Sequence, residues 1–148
     1  MKTIRFYKEF GEYGYLATYS NHGFFKDGIY WKTSEHYYQA QKFVEPEVKL
    51  KIANAKTPKI ASTIGRDRNL NLRSDWEEIK QNIMYDAVYF KFKQNKDILR
   101  KFLDTGNAEL VEATVKENYW GCGPNNDGQN NYGKILVRVR KQLRTEQY

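Results

Sequence analysis

The chain has 148 residues, 40% hydrophobic and 16% aromatic, which suffices for one packed core and is too aromatic for a disordered segment. Its net charge of +7 favours anionic partners such as phosphates, nucleotides or nucleic acids without choosing among them. The single Cys122 excludes an internal disulfide and fits a reducing compartment, and no signal peptide or membrane span is legible, so a soluble cytoplasmic protein is the default expectation.

Residues 4–7 read as a short strand and residues 14–23 as a loop or bent strand. Residues 24–31 read as a hairpin, because Asp27-Gly28 between aromatic runs suits a tight turn. A helix with two opposed faces follows directly. Thr33 or Ser34 is placed to cap it, and Tyr37, Ala40 and Val44 make one face apolar. Glu35, Gln39 and Lys42 form a polar stripe opposite, with His36 and Tyr38 beside it. Such stripes are ordinarily just solvated, but aromatics crowd this one more than solvation requires.

A helix starting at Pro46 uses Val48, Ile52 and Ala55, and another starts at Thr57-Pro58 and ends with Gly65 just past it. Arg66-Asp67-Arg68 then lie in a polar loop. Residues 74–77 read as a capping box, opening a helix with Trp76, Ile79, Ile83, Ala87 and Phe90 on one side and an end near Gln94-Asn95. Ile98, Leu99, Phe102 and Leu103 suggest one more helix, closed by Gly106. Residues 109–114 suit a strand or a helical turn. The Gly- and Asn-rich residues 119–133 read as a long loop, a length that is often functional. The last helix turns Ile135, Leu136, Val139 and Leu143 inward, with Arg138, Arg140, Lys141 and Arg144 around them. With no repeat or linker, the expectation is one compact, helix-rich α+β domain over residues 1–148, with a few short N-terminal strands.

Two histidines and one cysteine fit no zinc spacing, and no metal site is expected. Nothing local marks Cys122 as activated, so an incidental thiol is preferred to a Cys122–His36 pair. The Gly-rich loop lacks the Lys-Ser/Thr ending of a phosphate loop. Four carboxylates stand among aromatics: Glu35, Asp67, Glu112 and Asp127. A carboxylate against Tyr and Trp rings has a raised pKa or faces a developing cation. Breaking a ribose C1 bond passes through an oxocarbenium-like state that such a group stabilises. The plainer alternative for each is a surface charge, and for Glu112 a paired structural one. Arg66, Arg68 and the terminal arginines suit phosphates or an ordinary basic surface. Trp31 and Trp120 suit base stacking or the core, and Trp120 leans to the site because it opens the Gly-rich loop.

Residues 31–43 carry the string W-x-T-S-E-H-Y-x-Q-A-Q-K-F. Gly65-Arg66-Asp67-Arg68, Leu72-Arg73, Trp76-Glu77, Leu110-Val111-Glu112, Trp120-Gly121, Asn131-Tyr132-Gly133 and Arg140 follow in order. Together these strings resemble the NADAR (YbiA-like) family. The resemblance implies a helix-rich α+β domain and N-glycosidase activity without a cofactor. It implies as partner a phosphorylated substrate: a phosphoribosylaminopyrimidine of riboflavin synthesis, or ADP-ribose on guanine of nucleic acid, possibly DNA. It makes Glu35 the foremost catalytic carboxylate, with Trp120 packed at the substrate and Lys42 contacting a phosphate or attacking an opened ribose. Arg66, Asp67, Asn131 and Arg140 are implied as substrate-binding or site-shaping residues. Tyr19, Trp31, His36, Gln39 and Asp127 complete the candidate substrate-binding set. One departure stands out. Many members have Ser-Asn where this chain has Ala17-Thr18, which keeps open a module that binds ADP-ribose or nucleic acid without turnover.

Overall fold

The computed structural model describes residues 2–147. Asp27 and Gly28 take φ of 55° and 78°, the conformation a two-residue turn needs between right-twisted strands. They join β1 (Phe24–Lys26) to β2 (Ile29–Trp31) as an antiparallel hairpin. The strand that precedes them spans Thr3–Phe6, pairs separately and lies parallel to Glu109–Glu112, with Phe6 opposite Glu112.

 The latter segment is β3, so residues 109–112 are a strand and not a helical turn, and the strands are not confined to the N-terminal part of the chain.

Among the described residues there are six α-helices: α1 (Ser34–Ala40), α2 (Pro46–Ala53), α3 (Pro58–Gly65), α4 (Trp76–Gln94), α5 (Lys96–Leu103) and α6 (Asn131–Thr145). With the short strands they make the compact α+β fold that the pattern suggests. Thr33 caps α1 by accepting from His36 N–H at 3.2 Å, and Thr57 caps α3 by accepting from Ile60 N–H at 3.1 Å. None of the described helices is long and apolar enough to cross a membrane.

Several local expectations are corrected. The 74–77 capping box does not form: Asp75 is the N-cap of α4 without a side-chain cap bond. Its carboxylate is taken by Arg73 at 2.6 Å, a charge-assisted bond that outcompetes a neutral N–H. Gly65 ends α3 inside the helix rather than beyond it. Val44 lies past the end of α1 and is exposed, so it adds nothing to the apolar face. Residues 131–133 form the first turn of α6 rather than loop, and Arg140 points inward.

Every residue of α1 is buried, polar stripe included. The helix is enclosed by α2, α3 and α4. The Ser34 hydroxyl ties it to α4 by donating to Ala87 O at 2.7 Å. The terminal helix α6 packs on α4 and β3. It can approach β3 because position 133 is glycine; a Cβ there would collide with the Leu110 carbonyl oxygen. Asn130, in the left-handed region at φ 50°, occupies the place of a further strand beside β3. Its Oδ1 accepts from Glu112 N–H at 3.0 Å and its Nδ2 donates to Leu110 O at 2.9 Å.

Lys91 of α4 is fully buried, and its ammonium donates to Ala17 O at 2.8 Å. Burial pushes its pKa down from 10.5 to about 7. Between those values the unfolded chain binds a proton that the folded chain does not, so stability rises with pH. Urea unfolding from pH 7 to 9.5 is expected to show a rise of up to about 1.4 kcal/mol per pH unit from this group. Lys91→Met is expected to remove that slope.

Candidate active site

One face of α1 opens into a cavity of about 1090 Å³, bounded also by residues 7–10, residues 17–19, α3, the end of β3 and Trp120. That volume accommodates a nucleotide-sized ligand. Glu35 sits in its wall, in the first turn of α1. Thr18 holds Glu35 twice. Its carbonyl accepts from Glu35 N–H at 3.2 Å, and its hydroxyl donates to Oε1 at 2.8 Å. Gln39, one turn later on the same face, donates Nε2–H to Oε2 at 2.7 Å. Both carboxylate oxygens are therefore fixed.

Gln39 Oε1, Ser62 Oγ and Glu9 Oε2 are the buried side-chain polar atoms without a partner among the described residues, and all three belong to cavity residues. Buried polar atoms are otherwise almost always satisfied, so their convergence marks a place for a polar ligand. Gly65 permits the packing here: a Cβ would run into the Gln39 side chain.

Glu112 reaches the cavity from the end of β3. Its backbone is fixed by Asn130 and by Cys122 N–H, which donates to Glu112 O at 2.9 Å. Burial, then the charges of Glu35 and Glu117, push its pKa up to about 7. Glu117 accepts the N–H groups of Tyr119 and Trp120 at 2.7 and 3.3 Å, which sets the Trp120 ring. That ring meets Tyr38 edge-on at 5.8 Å, and Tyr38 in turn meets Trp76 at 5.1 Å. Lys42, just past α1, lies 3.4 Å from Gly65 O, and burial lowers its pKa although Glu35 opposes the shift. The exposed Lys8, Lys59, Arg66 and Lys116 also line the cavity, so cations stand at its rim and acids at its wall.

The cavity gathers Glu35, Lys42, Trp120, Tyr19, Gln39 and Arg66 from the candidates named in the sequence. The other six candidates do not line it. Trp31 is core, edge-on to Tyr37 at 5.5 Å. His36 is buried between Thr33 Oγ1 at 2.8 Å and Ala55 O at 3.0 Å, bonds that require the Nε2–H tautomer because a carbonyl only accepts. Asp67 accepts from Asn69 N–H at 2.9 Å in a local turn. Asp127 is exposed in the loop before α6. Asn131 begins α6 and donates its N–H to Tyr119 O at 3.0 Å. Arg140 donates to Thr105 Oγ1 and Ala108 O, both at 2.9 Å. Of the four carboxylates singled out in the sequence, Glu35 and Glu112 line the cavity, while the catalytic and substrate-binding set drawn there lacks Glu112, Tyr38, Thr18, Ser62 and Glu117. Only Glu112 carries a signal, as an acid closing an apolar strand. Among the described residues no group of three or more His, Cys, Asp and Glu side chains is arranged to hold a metal ion.

Residues 5–144 match the NADAR domain family. The chain belongs to this family. It is similar to an N-glycosidase of Nostoc punctiforme, 43% identical over 145 residues that cover 96% of this chain and 93% of that protein. It is also similar to N-glycosidase YbiA of Escherichia coli, 38% identical over 143 residues that cover 97% of this chain and 89% of that protein. The NMR structure of Escherichia coli YbiA matches with a TM-score of 0.91 and 37% identity, covering 99% of this chain and 87% of that one. A riboflavin biosynthesis protein of Vibrio vulnificus is 36% identical over 140 residues, which cover 95% of this NADAR chain and 38% of that protein.

Gly65→Ala tests the packing that holds Gln39 on Glu35. It is expected to destabilise the fold by about 1–3 kcal/mol in urea unfolding, the usual cost of overpacking a close contact.

Proposed function

We propose that this chain is an N-glycosidase that hydrolyses the bond between ribosyl C1′ and a base nitrogen in a phosphorylated or ADP-ribosyl substrate. The observation that carries this reading is the Glu35 carboxylate, held on both oxygens by Thr18 and Gln39 in the wall of a nucleotide-sized cavity with a cationic rim. A carboxylate held in this way needs no reorganisation when positive charge develops at C1′. Glu35 stabilises the oxocarbenium-like state and accepts a proton from the water that adds to it. Trp120 bounds the sugar or base, and Lys42 with Arg66 offsets phosphate charge. The names of the Nostoc punctiforme and Escherichia coli relatives support this class of reaction.

Two substrate classes are candidates for this reaction. The name of the Vibrio vulnificus relative favours a phosphoribosylaminopyrimidine of riboflavin synthesis. The net charge of +7 favours ADP-ribosyl-guanine in DNA. The alternative of binding without turnover drew on the replaced Ser-Asn pair. Thr18 still supplies a hydroxyl to Glu35, and that bond favours catalysis.

Product release from both substrates, with wild type and Glu35→Gln, tests the proposal. Wild type is expected to release the free base from at least one, and Glu35→Gln to lose about a hundredfold or more in kcat. A folded Glu35→Gln that keeps the full rate removes Glu35 from its role. Tight ADP-ribose binding with no release from either substrate replaces the enzyme by a binding module. Thr18→Val is expected to lower kcat about tenfold with KM little changed, because it removes one hydrogen bond to a charged group.

A further inference from the structure

N-glycosidic bonds break with two charges to manage: a cation at C1′ and electron density on the departing base. Glu35 addresses the first. The cavity holds a second carboxyl whose surroundings are the opposite of those at Glu35. No described side chain donates to or accepts from the Glu112 carboxyl, whereas Glu35 accepts on both oxygens. Glu35 from α1, Glu117 from the loop after β3 and Tyr132 from α6 line the same cavity as Glu112. Of these, the two carboxylates disfavour a second negative charge, and the phenol supplies none at neutral pH. The cations Lys8, Lys42, Lys59, Arg66 and Lys116 line the same cavity, but none hydrogen-bonds to Glu112. The backbone around Glu112 is pinned from both sides, by Asn130 Oδ1 at 3.0 Å and by Cys122 N–H at 2.9 Å, so the carboxyl is carried on a fixed support.

We infer that Glu112 is the general acid that protonates the departing base. This rests on the N-glycosidase reading above and adds the residue that reading leaves out. As the C1′–N bond breaks, its electron pair goes to the base nitrogen, and the Glu112 carboxyl proton moves to the base. Water then adds to C1′, its surplus proton passes to Glu35, and exchange with solvent returns both carboxyls to their starting states. Of the carboxyls lining this cavity, Glu35, fixed as an acceptor, and Glu112, whose carboxyl has no hydrogen-bonding partner among the described side chains, divide the roles of stabiliser and acid as such pairs do elsewhere.

The test combines a carbon-13 carboxyl titration of the wild-type chain with kcat/KM profiles on whichever of the two substrates above is hydrolysed. The wild-type profile is expected to fall as pH rises through about 7, where Glu112 loses its proton. Glu112→Gln is expected to lose about a hundredfold or more and to lose that alkaline limb, and Glu112→Asp to recover part of the rate with the limb displaced. The titration is expected to find the Glu112 carboxyl protonated at pH 6. A Glu112 carboxyl that ionises in the ordinary carboxylate range overturns the acid role, as does Glu112→Gln with the wild-type rate and limb. Either result leaves the Glu35 reading standing. Absence of hydrolysis on both substrates overturns the functional reading and the acid role together.

Discussion

The structure depends on keeping a carboxylate inside the protein. Glu35 lies on a helix whose every residue is buried, where an unpaired charge would be costly. Thr18 and Gln39 meet that cost by binding both of its oxygens. The rest of the packing around the site follows from where those two donors have to be. Gln39 stays on Glu35 because α3 closes over it, which needs glycine at position 65. Thr18 stays on Glu35 because the segment before it is fixed from two other elements: Lys91 of α4 binds the Ala17 carbonyl, and Tyr132 of α6 donates to the Leu16 carbonyl. The carboxylate is thus supported by helices distant from it in sequence.

The segment between β3 and α6 does comparable work without regular structure. The carbonyls of Tyr119 and Trp120 accept the first N–H groups of α6, and Asn130 pairs with the free edge of β3. One stretch therefore caps a helix, completes a strand and sets the Trp120 ring against Tyr38. Its Gly and Asn residues are what these jobs require, since the backbone enters the left-handed region at Asn126, Asn130 and Gly123. The length that suggests a functional loop is explained by these three tasks. Asp127, which sits in the same loop, takes part in none of them.

Electrostatics separate the two ends of the cavity. The rim cations sit on exposed positions, where they remain hydrated. The carboxyls sit deeper, where their charges matter to one another. Burial first, and then the charges of Glu35 and Glu117, raise the pKa of Glu112 to about 7.

The sequence by itself determined the helices, the hairpin and the family, because these rest on local signals: Pro at first helical positions, Asp-Gly between aromatic runs, and the long string over residues 31–43. It also determined Glu35, Gln39 and Lys42 as a unit, since helical spacing brings them to one side. What only the tertiary structure decided is which polar residues share the cavity. Trp31 and His36 belong to the same string as Glu35, yet they face the core and the α1–α2 region, because neighbouring residues on a helix point in different directions. Arg140 follows the charged pattern of α6 but turns inward to bind the Thr105 hydroxyl and the Ala108 carbonyl. Thr18 and Ser62 carry no pattern that ties them to Glu35, and Glu112 stands out only as an acid closing an apolar strand. They meet it because α3, β3 and the segment after Leu16 converge on α1, and long-range packing of that kind leaves no periodic trace in the chain.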